Sequence, residues 1–236
     1  MRPRIGILGG MGPAATILLQ QRILDAVPVK GDSDHIPLLI DMNPQVPSRI
    51  DYLIHHEGRN PGPVLAEMAK GLEARGADAL VMPCNTAHHF ASYIEDATSV
   101  PFLNMVELSA AELAKHAPKR GRVGVLASPA TETVGLFHSA FQAAGLTASY
   151  PENSAQMLHA IEDIKANGPS EQNISVVQAT MENLCRDGVD AFLVGCSEFS
   201  LVARELTSSV PIIDALDVLT DAIRQFHRPA LNKTPS

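Results

Sequence analysis

The chain of 236 residues contains an internal repeat in which each copy carries a cysteine at the same place. Residues 76–84, Gly-Ala-Asp-Ala-Leu-Val-Met-Pro-Cys, align without a gap with residues 188–196, Gly-Val-Asp-Ala-Phe-Leu-Val-Gly-Cys. Two further pairings follow the same order, residues 4–8 with 122–126 and residues 100–103 with 210–213. The repeat predicts two halves of similar fold, each presenting one thiol at the end of one strand.

Short apolar segments alternate with longer segments of helical periodicity. The strand candidates are residues 5–8, 37–41, 79–82, 102–104, 122–127, 147–150, 191–194 and 211–213. Between them, Leu65, Met68 and Leu72 form part of an apolar stripe at helical spacing. Continuous apolar strands that alternate with amphipathic helices indicate parallel sheets covered on both faces. We therefore predict an α/β fold.

Composition and charge indicate which partners and which cellular compartment to expect. The net charge is −8 and no basic cluster stands out, which argues against binding to nucleic acid. No apolar run approaches the length of a membrane span, and the N-terminal apolar run is too short for the core of a signal peptide. Three cysteines in a chain without a secretion signal indicate reduced thiols. We expect a cytoplasmic protein that does not contact a membrane.

Cys84 and Cys196 both come at the carboxyl end of a predicted strand. Ligands of parallel α/β sheets bind beyond these strand ends. A single free cysteine is more often simply buried, and Cys185, which has no counterpart in the other half, is predicted to pack against its neighbours. Two cysteines at matching positions of a repeat favour a functional role instead.

Each cysteine is also predicted to precede a helix. The positive end of a helix would stabilise the thiolate form and lower the thiol pKa. Asn85, Thr86 and Ser197 could cap these helices, or could hold a substrate carboxylate beside the exposed N–H groups. The sequence leaves both roles open.

Two opposed thiols permit a two-base mechanism. One thiolate removes hydrogen from a carbon and the other thiol donates hydrogen from the opposite face, so that the configuration inverts. Arg49, in the loop after the second strand, is either a carboxylate clamp or a solvated cation. Lys165 precedes Ala166-Asn167-Gly168, and this position favours a cation at a helix C-terminus.

Four motifs follow one another along essentially the whole chain. They are Gly9-Gly10-Met11-Gly12-Pro13, Asn43-Pro44 through Arg49, Cys84-Asn85-Thr86-Ala87-His88 and Gly195-Cys196-Ser197-Glu198. Together they resemble the cofactor-independent aspartate racemases of the aspartate/glutamate racemase superfamily. Glutamate racemases carry Asp-Ser in the first glycine loop and a His two residues after the second cysteine. This chain has Gly9-Gly10 and Glu198 there, so it resembles the aspartate type more closely.

The resemblance implies an amino-acid racemase without pyridoxal, without another cofactor and without a metal. Cys84 and Cys196 would be catalytic. The substrate would be a small dicarboxylic amino acid, either aspartate alone or both aspartate and glutamate. The residues that match substrate-site positions are Met11, Asn43, Arg49, Asn85, Thr86, Ser128, Thr131, Lys165 and Ser197. For Lys165, the role in substrate binding comes from the resemblance alone.

The resemblance also implies the architecture. The expected fold is two similar Rossmann-like parallel-sheet domains, related by internal duplication, with the active site in the cleft between them. The first domain would comprise residues 1–98 and 208–236, because the chain is expected to cross back near its end, and the second would comprise residues 99–207. A homodimer is expected from the family.

Other functions stay open at this point. A dinucleotide site is conceivable at the first glycine loop, although its spacing is not Gly-x-Gly-x-x-Gly. Cys84, His88 and Cys196 could be assembled as metal ligands, although His88 and His89 are expected on a helix surface. The remaining alternatives are a non-catalytic amino-acid-binding protein, which would need an export signal, and a related racemase or decarboxylase. The related decarboxylases keep a single catalytic cysteine, so the pair disfavours decarboxylation.

Overall fold

The protein contains two parallel sheets that are flanked by helices. The computed structural model describes residues 2–28 and 30–227. The strands are β1 (Ile5–Gly9), β2 (Leu38–Met42), β3 (Ala79–Val81), β4 (Arg122–Leu126), β5 (Thr147–Ser149), β6 (Ala191–Val194) and β7 (Ile212–Asp214). The helices are α1 (Pro13–Asp25), α2 (Gly62–Ala74), α3 (Ala91–Glu95), α4 (Met105–His116), α5 (Pro129–Thr133), α6 (His138–Ala143), α7 (Ser154–Asn167), α8 (Glu171–Arg186) and α9 (Ala215–His227).

The two sheets repeat one arrangement. The first has the strand order β2-β1-β3 and the second has the order β5-β4-β6-β7, and every pairing is parallel. In both sheets the central strand is apolar throughout its buried length, since helices cover both faces. The predicted α/β fold of two similar parallel sheets is confirmed.

A fourth edge segment accompanies each sheet. Residues 101–103 lie beside β3, where Leu80 N–H donates to the Pro101 carbonyl (2.9 Å) and Leu103 N–H donates to the Leu80 carbonyl (2.9 Å). This segment forms an isolated bridge at Phe102 instead of the strand predicted over 102–104. In the second sheet β7 occupies the corresponding edge beside β6.

The helices after these edge segments connect the two halves. Helix α4 follows the edge of the first sheet and packs on β6 and β7 of the second. Helix α9 follows β7 and packs on α1 and α4. One apolar cluster therefore runs through both halves, and its members include Ile5, Ile7 and Val81 of the first sheet, Val125 and Leu193 of the second, Leu113 of α4, and Leu216, Leu219 and Ile223 of α9.

The sequence predicts a division into residues 1–98 plus 208–236 and residues 99–207. Helix α9 packs on α1 of the predicted first domain and on α4 of the predicted second domain. Strand β7, however, pairs with the second sheet, and residues 101–103 pair with the first. Each edge segment thus belongs to the sheet that its own repeat forms, because its backbone hydrogen bonds go to the preceding strand. Residues 228–236 lie outside the described residues, and the division into folding units stays a prediction.

The topology brings the carboxyl ends of strands from both sheets toward one site. The loops after β1, β2 and β3 of the first sheet and after β4 and β6 of the second all contribute to it. Among residues 2–28 and 30–227, none of the helices combines the length and the apolar character needed to cross a membrane.

Candidate active site

A cavity of about 60 Å³ lies between the two halves and is lined by both repeat cysteines. Cys84 follows β3 and Cys196 follows β6, and each is only 8% exposed. The cavity also brings together these residues singled out from the sequence: Met11, Arg49, Asn85, Thr86, Ser128, Lys165 and Ser197. Five further residues line the cavity, for which no substrate contact was predicted: Ser48, Ile50, Ile161, Gly195 and Glu198.

Two of the predicted substrate contacts lie outside the cavity lining. The Asn43 side chain accepts a hydrogen bond from Gln45 N–H (2.9 Å), which shapes the loop leading to Arg49. Gly10 packs so closely on Asn43 that a Cβ there would lie 2.4 Å from the Asn43 carbonyl carbon. Thr131 is fully buried and donates to the Ser128 carbonyl (2.8 Å). In this structure Asn43 and Thr131 therefore support the loops of the site without lining it.

The segments after the cysteines differ from the sequence prediction. Residues Thr86–Phe90 and Phe199–Leu201 are short 3₁₀ turns instead of α-helices, and neither has a side-chain cap at its start. Neither cysteine is therefore followed directly by the long helix whose dipole was expected to stabilise a thiolate. Among the described residues the buried Asn85 amide finds no hydrogen-bond partner, so both its donor and its acceptor are available to a ligand in the cavity.

Ser128, by contrast, does cap a helix. Its side chain accepts a hydrogen bond from Ala130 N–H (3.2 Å) at the start of α5, where Pro129 occupies the first helical position. The Ser128 hydroxyl is therefore partly committed to the backbone while the residue lines the cavity.

His88 holds the turn that carries Cys84. It is buried, which corrects the expectation of a helix-surface residue, whereas His89 is exposed. The His88 Nε2 atom accepts a hydrogen bond from Met105 N–H (3.1 Å), so Nδ1 carries the proton and donates to the Cys84 carbonyl (2.9 Å). Both ring nitrogens are occupied by backbone groups, and this pairing makes His88 a structural link and not a metal ligand. Within the described residues no three His, Cys, Asp or Glu side chains form a metal-binding group.

Burial lowers the pKa of His88 to about 4 from the usual 6.5. Below pH 6.5 the unfolded chain binds a proton that the folded chain does not, so stability falls as pH falls. We expect a loss of about 3 kcal/mol in the free energy of unfolding between pH 6.5 and pH 4 from this residue. Urea unfolding as a function of pH measures it. The variant His88→Asn should show a smaller loss over this window, whereas His89→Asn should keep it. An unchanged pH dependence in His88→Asn would contradict the assignment.

Cys196 lies beside a buried carboxylate. Its Sγ donates to Glu198 Oε2 at 3.1 Å. Burial and the negative charge of Glu198 raise the pKa of the Cys196 thiol well above its usual range, and the positive charge of Lys165 opposes this rise. Cys196 is therefore a thiol in the free protein, contrary to the expectation of an activated thiolate at a helix start.

Two cations reach the cavity. Arg49 is fixed by its own loop, where Nη1 donates to the carbonyls of Val46 (3.3 Å) and Pro47 (2.9 Å), while its buried Nε has no partner within residues 2–28 and 30–227. Lys165 lies in the last turn of α7, as predicted for a cation at a helix C-terminus. Its Nζ lies 3.7 Å from Glu198 Oε1, so the same residue also lines the cavity.

The family profile described as Asp/Glu/hydantoin racemase matches residues 8–223. The chain belongs to this family. A broad specificity amino-acid racemase, RacX, of Bacillus subtilis is 27% identical over 216 residues, which cover 89% of this chain and 92% of that protein. The structure of the Picrophilus torridus aspartate racemase superposes on this chain with a TM-score of 0.80 at 27% identity. The superposition covers 94% of this chain and 93% of the Picrophilus torridus chain. The fold also matches glutamate racemase from Francisella tularensis, with a TM-score of 0.65 at 17% identity and coverage of 99% and 84%.

The protein is accordingly an isomerase, an amino-acid racemase of the Asp/Glu/hydantoin racemase family. The resemblance stated from the four sequence motifs is thereby confirmed at the level of the superfamily. Of the five lining residues for which no substrate contact was predicted, Glu198 is the charged one. Its signal was present two positions after Cys196, but it served there only to distinguish subfamilies.

Proposed function

We propose that this racemase acts on aspartate and that Cys84 and Cys196 transfer the α-hydrogen from opposite faces of Cα. The observation that supports this proposal is that both cysteines, from equivalent positions of the repeat, line one cavity. As a thiolate, one sulfur would remove the α-hydrogen while the other, as a thiol, would donate one. The polar groups around the carboxylate would stabilise the charge that develops on deprotonation.

The charges of the cavity favour an acidic substrate. Arg49 and Lys165 carry positive charge and Glu198 carries negative charge, so these three groups together are positive by one unit. Aspartate, with two carboxylates and one ammonium group, carries one negative charge and complements them. The likeness to an aspartate racemase over nearly the whole chain supports the same choice.

Arg49 is suited to hold the side-chain carboxylate. Two backbone carbonyls fix its Nη1, and the unpaired Nε leaves one edge of the guanidinium fork available. The unpaired Asn85 amide, with the Thr86 and Ser197 hydroxyl groups, is available to hold the α-carboxylate and the α-amino group. Binding by fixed groups limits the ordering cost when the substrate enters.

A broader substrate range is the second candidate. It is favoured by the similarity to the B. subtilis broad specificity racemase and by the apolar side chains of Met11, Ile50 and Ile161 in the cavity wall. Incubating each L-amino acid with the enzyme and following the loss of optical rotation separates the two candidates. We expect aspartate to be racemised fastest. Equal rates for neutral amino acids would favour the broader range.

We expect Arg49→Ala to raise KM for aspartate by roughly 10–100-fold, because a hydrogen bond to a charged group contributes about 1.5–3 kcal/mol. KM for a neutral substrate such as alanine should rise much less. Arg59→Ala, an exposed arginine in the same part of the chain, is the matched control and should leave both values unchanged. If KM rises equally for both substrates in Arg49→Ala, Arg49 does not hold the side-chain carboxylate.

We also propose that the reaction needs no pyridoxal, since the thiol pair supplies both proton-transfer groups. Activity that survives exhaustive treatment with a carbonyl reagent such as hydroxylamine would support this. The homodimer and the cytoplasmic location stay predictions, and light scattering in solution tests the first.

A further inference from the structure

The Cys196 thiol is placed to exchange its proton with a carboxylate inside the same protein. Glu198 Oε2 accepts from Cys196 Sγ at 3.1 Å, and the Glu198 side chain is only 8% exposed. Its other oxygen, Oε1, lies 3.7 Å from Lys165 Nζ. On the far side, Gly12 comes so near that a Cβ there would lie 3.3 Å from Oε1. The carboxylate is thus held against the sulfur by the surrounding chain.

We propose that Glu198 stores a proton on the Cys196 side of the active site and that Cys196 relays protons between Glu198 and the substrate. This rests on the proposed two-thiol function. In the first resting form Cys84 and Cys196 are thiols and Glu198 is a carboxylate. In the second form Cys84 is a thiolate, Cys196 is a thiol and Glu198 is a carboxylic acid. Both forms carry one negative charge.

Each step between the two forms balances. The S–H bond of Cys196 breaks and an O–H bond forms on Glu198. The resulting Cys196 thiolate takes the α-hydrogen, so the Cα–H bond breaks and its electron pair stays on the substrate. Cys84 then gives its proton to the opposite face of Cα and becomes the thiolate. The reverse reaction starts with Cys84 as the base and ends when Glu198 returns its proton to Cys196.

The relay explains how a buried thiol beside a carboxylate can act as a base. A thiolate at Cys196 would lie 3.1 Å from a second negative charge if Glu198 stayed ionised. Moving the proton to Glu198 removes that repulsion, and the pair keeps its total charge although both side chains are largely buried. Lys165 Nζ lies 3.7 Å from Oε1, so a positive charge stands beside the carboxylate that exchanges the proton.

Isotope exchange in single-thiol variants isolates the relay. In D₂O, Cys84→Ala leaves Cys196 as the base and should exchange the α-hydrogen of one aspartate enantiomer. Cys196→Ala leaves Cys84 and should exchange that of the other. Adding Glu198→Gln preserves the size of the side chain and a hydrogen-bond acceptor but removes the proton store. We expect it to lower the Cys196-dependent exchange at neutral pH by at least about 100-fold more than the Cys84-dependent exchange.

Two further readouts exclude a merely structural role. In the Cys84→Ala background, Glu198→Gln should regain exchange as pH rises, roughly tenfold per pH unit, because hydroxide then removes the thiol proton. Glu198→Asp, which keeps a carboxylate, should retain more exchange than Glu198→Gln at neutral pH. Glu205→Gln, at an exposed glutamate a few residues later, is the control for the substitution itself. Urea unfolding checks that each variant is folded.

The outcomes separate the relay from the proposed function. If the two cysteine variants exchange opposite enantiomers but Glu198→Gln lowers both exchanges equally, or lowers neither, the relay is overturned and the two-thiol mechanism stands. If neither cysteine variant shows enantiomer-selective exchange, the two-thiol mechanism and the relay both fall.

Discussion

Cys84→Ala and Cys196→Ala are each expected to lower the rate of aspartate racemisation by about 10²–10⁴-fold, because each removes one of the two proton-transfer groups. Exchange of the α-hydrogen should survive for one enantiomer in each variant, since the remaining thiol still faces one side of Cα. Polarimetry measures the loss of racemisation, and NMR in D₂O measures the exchange for L- and D-aspartate separately.

Cys185→Ala is the matched control for the thiol variants. Cys185 lies on α8, is partly exposed and has its Sγ 3.9 Å from the Ser208 hydroxyl, and it does not line the cavity. We expect its replacement to leave racemisation unchanged, in keeping with the packing role predicted from its lack of a partner in the repeat. Full racemase activity in either Cys84→Ala or Cys196→Ala would contradict the two-thiol mechanism.

The sequence was sufficient to predict the sheets, because their strands are apolar, short and repeated. The gapless match of residues 76–84 with residues 188–196 predicts β3 and β6, and these are central or near-central strands buried on both faces. The same repeat predicts that each cysteine lies at the carboxyl edge of its own sheet, where ligands of parallel sheets bind. That the two edges face one cavity depends on how the halves pack together.

The packing of the two halves against each other could not be predicted from the sequence in the same way. Helices α4 and α9 cross between the sheets because their apolar faces are buried against the opposite half. An amphipathic pattern shows that a helix has an apolar face but does not show which sheet covers that face. For the same reason the edge segments at Phe102 and β7 could not be assigned to a sheet from their composition.

The electrostatics of the site depended on distances that a sequence does not contain. Asn85 and Ser197 matched the pattern of helix caps, yet the chain after each cysteine closes into a 3₁₀ turn and leaves the Asn85 amide unpaired. In the sequence, Glu198 does not differ from an ordinary acidic residue of a turn. Its importance follows from burial and from its 3.1 Å contact with Cys196. Burial and this contact raise the pKa of the Cys196 thiol, and both are set by tertiary packing.

Replacing Arg22 by methionine is expected to lower the free energy of unfolding by about 3–5 kcal/mol, because it leaves a buried charge without its partner. Arg22 on α1 is 5% exposed and donates to Asp214 (2.8 Å) and to the Ser200 carbonyl (2.9 Å). Ser200 N–H in turn donates to the Cys196 carbonyl (3.2 Å), so this network ties α1 of the first half to the turn that carries the second cysteine. Urea unfolding at neutral pH measures the loss.

The control and the pH dependence test the cause of that loss. Arg224→Met breaks a more exposed pair with Asp221 and should cost only about 0–1 kcal/mol. Burial raises the pKa of Asp214 above its usual value, and Arg22 opposes this rise. Without Arg22 the pKa of Asp214 rises further, so the deficit of Arg22→Met should shrink as pH falls and Asp214 becomes neutral in the folded protein. Adding Asp214→Asn should recover part of the loss at neutral pH. A deficit that is independent of pH and of Asp214 would indicate lost packing of the arginine stem and not an uncompensated charge.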